Sequence, residues 1–219
     1  HRPHNMVRVF PVTKPGLNDR YLSDKIYGFA LNMPAYRMGH VTELMPVTGT
    51  LCTDKNRNAS LYDHDLEEVH PWYQKVNLED YDIDADWTTT ERAVIYRFNF
   101  NRKDSCHIIF RAARKACFKT TGNNMIEGWE ELKDTRQYFH AEFSQPFINA
   151  GSFEDGKIMK ETEIAGNAVG LYVTFPSPGK PVEVRIGISY IDGQQAAMNL
   201  QKETNGKSFE SVKDESHQI

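Results

Sequence analysis

Strict alternation of apolar and polar residues, repeated along most of the chain, is what constrains this sequence most. In 93–100, Val94, Tyr96, Phe98 and Phe100 share one parity and Arg97 and Asn99 the other. In 138–147, Phe139, Ala141 and Phe143 alternate with His140, Glu142 and Ser144. In 182–190, Val182, Val184, Ile186 and Ile188 alternate with Glu183, Arg185, Gly187 and Ser189. A period of two is that of a strand with one face buried and the other wetter. Further strands are predicted at 6–13, 40–47, 73–78, 80–88, 106–112, 116–121, 125–132 and 168–175. Turn-forming clusters separate them: Gly122-Asn123-Asn124, Glu154-Asp155-Gly156 and Pro176-Ser177-Pro178-Gly179. Many short strands punctuated in this way predict an all-β fold, a large antiparallel β-sandwich.

The C-terminus breaks the pattern. Residues 194–203 lack a β-branched run and carry Ala196, Ala197, Met198 and Leu200 among Gln, Lys and Glu, and Asp192-Gly193 can open a helix there. This predicts a short C-terminal helix, with a second, weaker helical stretch from Ser208. The 219 residues suffice for one sizeable domain, and 39% hydrophobic content supports a core. The expected organisation is a single sandwich over 1–219, read from its abrupt end as the N-terminal part of a longer enzyme, with 204–219 beginning a linker to a missing domain. The chain opens at His1 without an initiator Met, so the expectation is that an upstream segment or tag has been removed.

Charge excludes one class. A net charge of −4 does not suit a surface built to neutralise nucleic-acid phosphates throughout, although a local basic patch stays open. No apolar run approaches the roughly 18 residues of a membrane span, and no signal peptide stands at the start. Cys52, Cys106 and Cys117 show no Cys-x-x-Cys spacing, so a thiolate zinc site is not expected and three half-buried or buried thiols are.

Three patterns invite a chemical reading. Asp80, Asp82, Asp84, Asp86 and Glu91 fall at the ligand spacing of an EF-hand. Ala85 stands where that loop needs Gly, no amphipathic helices flank it, and the i, i+2 spacing equally describes one face of a strand. The strand reading is preferred. The stretch 64–70 brings His64, Asp65, Glu67, Glu68 and His70 together, but not in the His-Glu-x-x-His spacing that aligns two ligands on a helix, and Pro71 follows. A polar loop at the mouth of a site competes there with a plain solvated loop. Trp72, Trp87, Trp129, Tyr36 and Tyr62 could offer ring faces to a sugar, against the commoner fate of aromatics as core. Trp72 and Trp129, lying among polar residues, rank first. A nucleophile elbow, a phosphate loop and a dinucleotide glycine fingerprint are all missing from the sequence.

Read in order, several segments resemble the N-terminal domain of glycoside hydrolase family 92, the exo-acting α-mannosidases. They begin with Met6-Val7-Arg8-Val9-Phe10-Pro11-Val12-Thr13, Ile26-Tyr27-Gly28-Phe29 and Leu44-Met45-Pro46-Val47-Thr48-Gly49. Tyr62-Asp63-His64-Asp65 and Pro71-Trp72-Tyr73-Gln74-Lys75-Val76-Asn77-Leu78 follow, then Tyr138-Phe139-His140-Ala141-Glu142-Phe143-Ser144-Gln145-Pro146-Phe147 and Ala196-Ala197-Met198-Asn199-Leu200. The segment after Phe29, Ala30-Leu31-Asn32-Met33-Pro34-Ala35-Tyr36-Arg37-Met38-Gly39, departs from the family's Ser-, His- and Gly-rich stretch, so the pocket-facing part is divergent.

The resemblance implies a sandwich that supports an (α/α)6 catalytic domain lying outside these residues and lends loops to a mannose-containing glycan pocket. It further implies an inverting α-mannosidase, with α-1,2 specificity one option, whose carboxylates and calcium lie in that second domain. It implies a secreted, periplasmic or cell-surface location. The substrate-binding residues expected in this chain are Tyr36, Arg37, His64, Asp65, Glu68 and Trp72, on two loops (62–72 and 32–40) that should share one edge of the sandwich. No catalytic residue and no metal ligand is assigned to this chain. The alternatives are a stand-alone carbohydrate-binding module and a sandwich with no ligand.

Overall fold

A computed structural model describes residues 5–13, 23–35, 39–176 and 179–218. In chain order the first strands are β1 (Phe10–Pro11), β2 (Lys25–Ile26), β3 (Phe29–Ala35), β4 (Gly39–Thr48), β5 (Ser60–Leu61) and β6 (Glu68–Val69). The central ones are β7 (Tyr73–Leu78), β8 (Ile83–Thr89), β9 (Ala93–Phe100), β10 (Cys106–Arg111), β11 (Lys115–Thr121), β12 (Met125–Leu132) and β13 (Thr135–Phe143). The last are β14 (Asn149–Glu154), β15 (Lys157–Met159), β16 (Glu163–Asn167), β17 (Gly170–Phe175) and β18 (Val182–Ser189), followed by helices α1 (Gly193–Thr204) and α2 (Phe209–His217).

The strands form two antiparallel sheets face to face, the predicted all-β sandwich. One has the order β1-β3-β4-β10-β17-β14-β15, the other β16-β11-β12-β13-β18-β9-β8-β7-β6, and a small third sheet pairs β2 with β5. Between them lies the core that the alternation predicts. Val94, Tyr96, Phe98, Phe100, Phe139, Phe143, Val184, Ile186 and Ile188 are all buried. Phe110 reaches across from the first sheet to stack on Phe139 of the second at 5.9 Å.

Several strands escaped the pattern. β3 is buried along Phe29, Ala30, Leu31 and Asn32, so both of its faces are covered and no alternation marks it. β15 and β16 are only three and five residues long, and β14 carries the small residues Ala150, Gly151 and Ser152 in place of an apolar alternation. The predicted strand over 6–13 shrinks to Phe10–Pro11, because Pro11 has no N–H to donate to a ladder. The flanking residues are held outside the ladder, with the Met6 N–H on the Glu91 carbonyl, the Val12 N–H on that of Gly28 and the Val12 carbonyl accepting from the Tyr27 N–H.

Both helices lie on the outer face of the nine-stranded sheet. Asp192 caps α1 by accepting from the Gln195 N–H, and Ser208 caps α2 from the Ser211 N–H. α1 rests on β18, where a Cβ on Gly187 would come within 2.3 Å of the Ala196 carbonyl. α2, inside the 204–219 stretch expected to begin a linker, buries Phe209 and Val212 against Tyr73 and Ile95. Its docking is also ionic. Arg97 bonds Asp86 at 2.6 Å and Glu210 at 2.7 Å, and its guanidinium lies 4.0 Å from the Phe209 ring centroid. Among the described residues no helix is long and apolar enough to cross a membrane.

Gly187 is therefore a packing requirement, since any side chain there must push the α1 backbone away. Gly187→Ala should lower stability by about 1–3 kcal/mol, read as a drop in the urea midpoint. An unchanged midpoint would mean that α1 does not sit on β18 as described.

Candidate functional site at one end of the sandwich

The ladder registers show which loops meet. β4 starts at Gly39 and runs antiparallel to β10, with Glu43 opposite Arg111. The Thr42 N–H donates to Glu130 near the end of β12, which joins this end of the first sheet to the same end of the second. There the β12–β13 hairpin closes at Leu132 and Thr135, β18 ends at Ser189, β9 begins at Ala93, and β8 ends and β7 begins with Thr88 opposite Tyr73. The ends of β3 and β4 at Ala35 and Gly39, the 190–192 and 90–92 connections and the 70–72 approach thus gather at one end.

That end is filled with buried polar side chains. Glu130 has no exposed surface. Its carboxylate accepts from the Thr42 N–H and hydroxyl, the Ala113 and Arg114 N–H groups and the Arg114 guanidinium, at 2.6 to 3.2 Å. Thr42 sits at φ 37°, a left-handed conformation that costs a β-branched residue about 1–3 kcal/mol. The Glu130 bonds offset that strain. Beside it, Asn32 donates to Gln137 at 2.8 Å and to the Tyr190 hydroxyl at 2.9 Å, and accepts from the Arg8 N–H. Burial pushes the Tyr190 phenol up to about 12, so it stays a neutral hydroxyl. On the outer side of β4, Glu43 is bonded by His40 at 3.1 Å and by Lys55. Burial would raise its pKa, but the bond to His40 and the charge of Lys55 outweigh that and hold it below the usual carboxylate range.

The expected site residues divide along the sheet edge. Trp72 lies at this end, stacked with His70 at 5.0 Å and with His217 of α2 at 4.1 Å. A cavity of about 390 Å³ opens beside it, lined by Val9, His70, Tyr73, Trp87 and Thr89 among others. Glu68 sits on the edge strand β6, opposite Lys75 and 3.1 Å from His70. His64 and Asp65 lie near the other end, in a 3-10 turn over His64–Leu66 capped by Asp63. That turn follows Leu61, which bonds Asp80 and Glu79 in the β7–β8 connection. His64 itself bonds the Ser23 carbonyl at 3.2 Å and Glu67 at 3.3 Å. The 62–72 stretch therefore climbs the edge from one end to the other, and only its Trp72 end lies at the end of the sandwich where β4 begins. Tyr36 and Arg37, between β3 and β4 in the sequence, lie outside the described residues.

The EF-hand spacing is resolved by β8. Asp84 and Asp86 point from one face of this strand, Asp84 bonded to Asn77 and Asp86 to Arg97 and Tyr73. Asp80 bonds the Leu61 N–H. Among the described residues, no three His, Cys, Asp or Glu side chains converge as ligands for a metal. The three cysteines are free thiols.

Sequence reasoning passed over Glu130 and Gln137, although a signal was present. Both share the inward parity of their strands, Glu130 with Ile126 and Gln137 with Phe139 and Ala141. A charged or amide side chain on a core parity needs partners, and so marks a buried polar site.

Comparison with known proteins bears on this geometry. Residues 1–189 match the family model described as the glycosyl hydrolase family 92 N-terminal domain. A comparison with curated protein sequences returned no match. Among solved structures, a family GH92 inverting mannosidase from Bacteroides thetaiotaomicron is similar at TM-score 0.90 and 18% identity, covering 99% of this chain and 32% of that one. A GH92 α-mannosidase of the same organism, in complex with mannoimidazole, gives 0.89 and 21%, covering 100% and 33%. Another GH92 glycosyl hydrolase gives 0.86 and 20%, covering 99% and 33%. The chain spans about a third of the length of the solved structures it matches.

Two outcomes follow from the polar end. Glu130→Ala strands four N–H groups and a strained Thr42, and should cost about 3–5 kcal/mol, measured by urea unfolding; a loss under 1 kcal/mol would show the network to be dispensable. Because the folded-state pKa of Glu43 is depressed, its contribution is present above the unfolded carboxylate value of about 4.3 and is lost as pH falls through the folded value. Melting curves of Glu43→Gln between pH 6 and pH 3 should therefore fall less steeply with acid than those of the parent. Parallel curves would contradict the assignment.

Proposed function

This chain belongs to the family of glycosyl hydrolase family 92 N-terminal domains, and on that premise we propose that it is the non-catalytic sandwich half of an α-mannosidase. A domain of this family implies a catalytic partner domain. The observation that carries the mannosidase reading is that the whole of this chain superposes on about a third of a solved inverting mannosidase. On this reading, the partner domain is an (α/α)6 barrel of the same polypeptide. It supplies the acid that protonates the leaving oxygen and the base that activates water on the opposite face of the sugar. On this reading calcium belongs there too, and the regularly spaced Asp84, Asp86 and Asp80 of this chain are engaged instead with Asn77, Arg97 and the Leu61 N–H. The substrate is a mannose-containing glycan, and the enzyme works outside the cytoplasm, as a secreted, periplasmic or cell-surface protein.

The contribution of this half is presentation. The β3–β4 turn with Tyr36 and Arg37, and the Trp72 corner, face the partner domain and contact the glycan. The buried network of Glu130, Asn32 and Gln137 holds the turn's two strands in place. Trp72 offers an indole whose orientation the His70 and His217 rings constrain. Glu68 bonds His70, and His64 is anchored on the Ser23 carbonyl at the far part of the loop.

The 219-residue chain alone should not hydrolyse an aryl α-mannoside or mannobiose, whereas the polypeptide carrying both halves should. Turnover by the purified chain would refute the division of labour. In the two-domain polypeptide, Trp72→Ala should lower kcat/KM about tenfold, the scale of one aromatic stacking contact, with a smaller effect on the unfolding midpoint. Unchanged kinetics would remove Trp72 from the site.

A further inference from the structure

The three tryptophans have different surroundings. Trp87 is in the core, 5.2 Å from Phe29 and 4% exposed. Trp72 already carries two imidazoles. Trp129 is half-buried on the outer face of the nine-stranded sheet, away from the polar core. The Arg136 guanidinium lies 4.0 Å from its ring centroid, and among the described residues no second ring or cation stacks on it.

The registers extend this into a row. Ala165, Cys117, Trp129 and Tyr138 stand opposite one another across β16, β11, β12 and β13. At strand spacing the row is about 14 Å long. α1 and α2 cover β8, β9, β18, part of β13 and the edge of β12, and beyond them Trp129 keeps part of its surface in solvent. The row ends beside a groove of about 460 Å³ lined by Arg136, Tyr138, Tyr190 and Ile191, among others.

Charged rows flank it on both sides, Lys115, Glu131 and Arg136 on one and Glu163, Lys119, Glu127 and His140 on the other. Each of these groups has a polar partner, and the cations and carboxylates are close to equal in number. Lys115 and Arg136 lie 3.6 and 3.1 Å from Glu131, and Lys119 lies 3.3 Å from Glu163. His140 is held between Glu127 at 3.0 Å and Glu142 at 3.2 Å. Paired charges create little net field, so the face has no pull on a polyanion or an acidic peptide. It offers an aromatic strip for C–H faces, with carboxylate acceptors and ammonium and guanidinium donors alongside for hydroxyls.

We propose that this row is a binding surface for a neutral oligosaccharide, laid across the strands with one sugar ring against Trp129. Its residues play no part in the mannosidase reading, which can fail while this surface stands. Arg136 fixes the indole through its stack and its bond to Glu131, so the ring is ordered before a ligand arrives, which lessens the cost of binding.

Isothermal titration calorimetry on the 219-residue chain tests this, with α-1,2-mannotriose, cellotriose and tri-galacturonate as probes. At least one neutral trisaccharide should bind, at least tenfold more tightly than the anionic one. Trp129→Ala should weaken that binding at least tenfold and Trp129→Phe severalfold, while Ile158→Ala, on the other sheet, should leave it within twofold. Far-UV circular dichroism checks that each variant is folded, and Trp129→Phe carries the test if Trp129→Ala is not. Binding of cellotriose without mannotriose, weakened severalfold by Trp129→Phe, would uphold the surface and count against mannose as the sugar. The proposal is overturned if no neutral trisaccharide binds, or if folded Trp129 variants bind as the parent does. It is equally overturned if no sugar binds and Trp129→Ala instead weakens association with a separately produced catalytic domain, which would make the face a protein interface.

Discussion

Glu130 carries a full carboxylate into the interior, with no exposed surface, and the end of the sandwich is arranged around it. Burying an unpaired carboxylate is prohibitive, and burying one is tolerable only when its oxygens are saturated with donors. Here the donors come from both sides of the sandwich: Thr42 on β4, and Ala113 and Arg114 in the link from β10 to β11. The carboxylate therefore fixes how the two sheets are aligned at that end, holds Thr42 in a conformation it would otherwise leave, and sets the base of the β3–β4 hairpin. Arg114 extends the effect by donating to the His40 carbonyl on the same hairpin. A loop meant to present side chains to a partner needs a rigid base, and this network supplies one.

The outer face of the nine-stranded sheet shows a second use of paired charge. Asp86 is nearly buried, and burial raises its pKa even against the opposing pull of Arg97. Arg97 is shared with Glu210 of α2 and lies over Phe209. A surface ion pair contributes little, but one roofed by a helix and combined with apolar burial fixes position as well as adding stability. α2 is thereby part of the sandwich, and the Trp72–His217 stack ties its C-terminal end to the same corner as the β7 approach. The helices also divide the sheet face. The half toward β8 is roofed, and the half around Trp129 displays a strip of apolar side chains between paired charges.

Much of the fold was legible in alternation alone. A period of two needs only the pleat and one buried face, both local properties, so β7, β9 and β12 are found with the residue boundaries that the pattern predicts. The helix caps at Asp192 and Ser208 were legible for the same reason, since a cap bonds within its own turn. The ordered segments that resemble family 92 likewise needed only the sequence. β3 was not legible, because a strand covered on both faces has no alternation to show. The shared edge expected for the 32–40 and 62–72 loops depends on the path between β5 and β7, which a hydrogen bond from Leu61 to Asp80 decides and no local pattern records.

What the sequence by itself determined is the architecture and the family: strand periodicity, turn chemistry and an ordered set of motifs act over a few residues at a time. Only the tertiary structure decided which side chains face one another. The partners of Glu130 lie 16 to 88 positions away, and of the two imidazoles on Trp72 one is local, His70, while the other, His217, arrives from the end of α2. Which indole is left with a face to offer depends on what packs above it, and that is set by sheet register and helix docking rather than by composition. Trp87, Trp72 and Trp129 are chemically the same residue. Their different exposure is a property of the assembled layers.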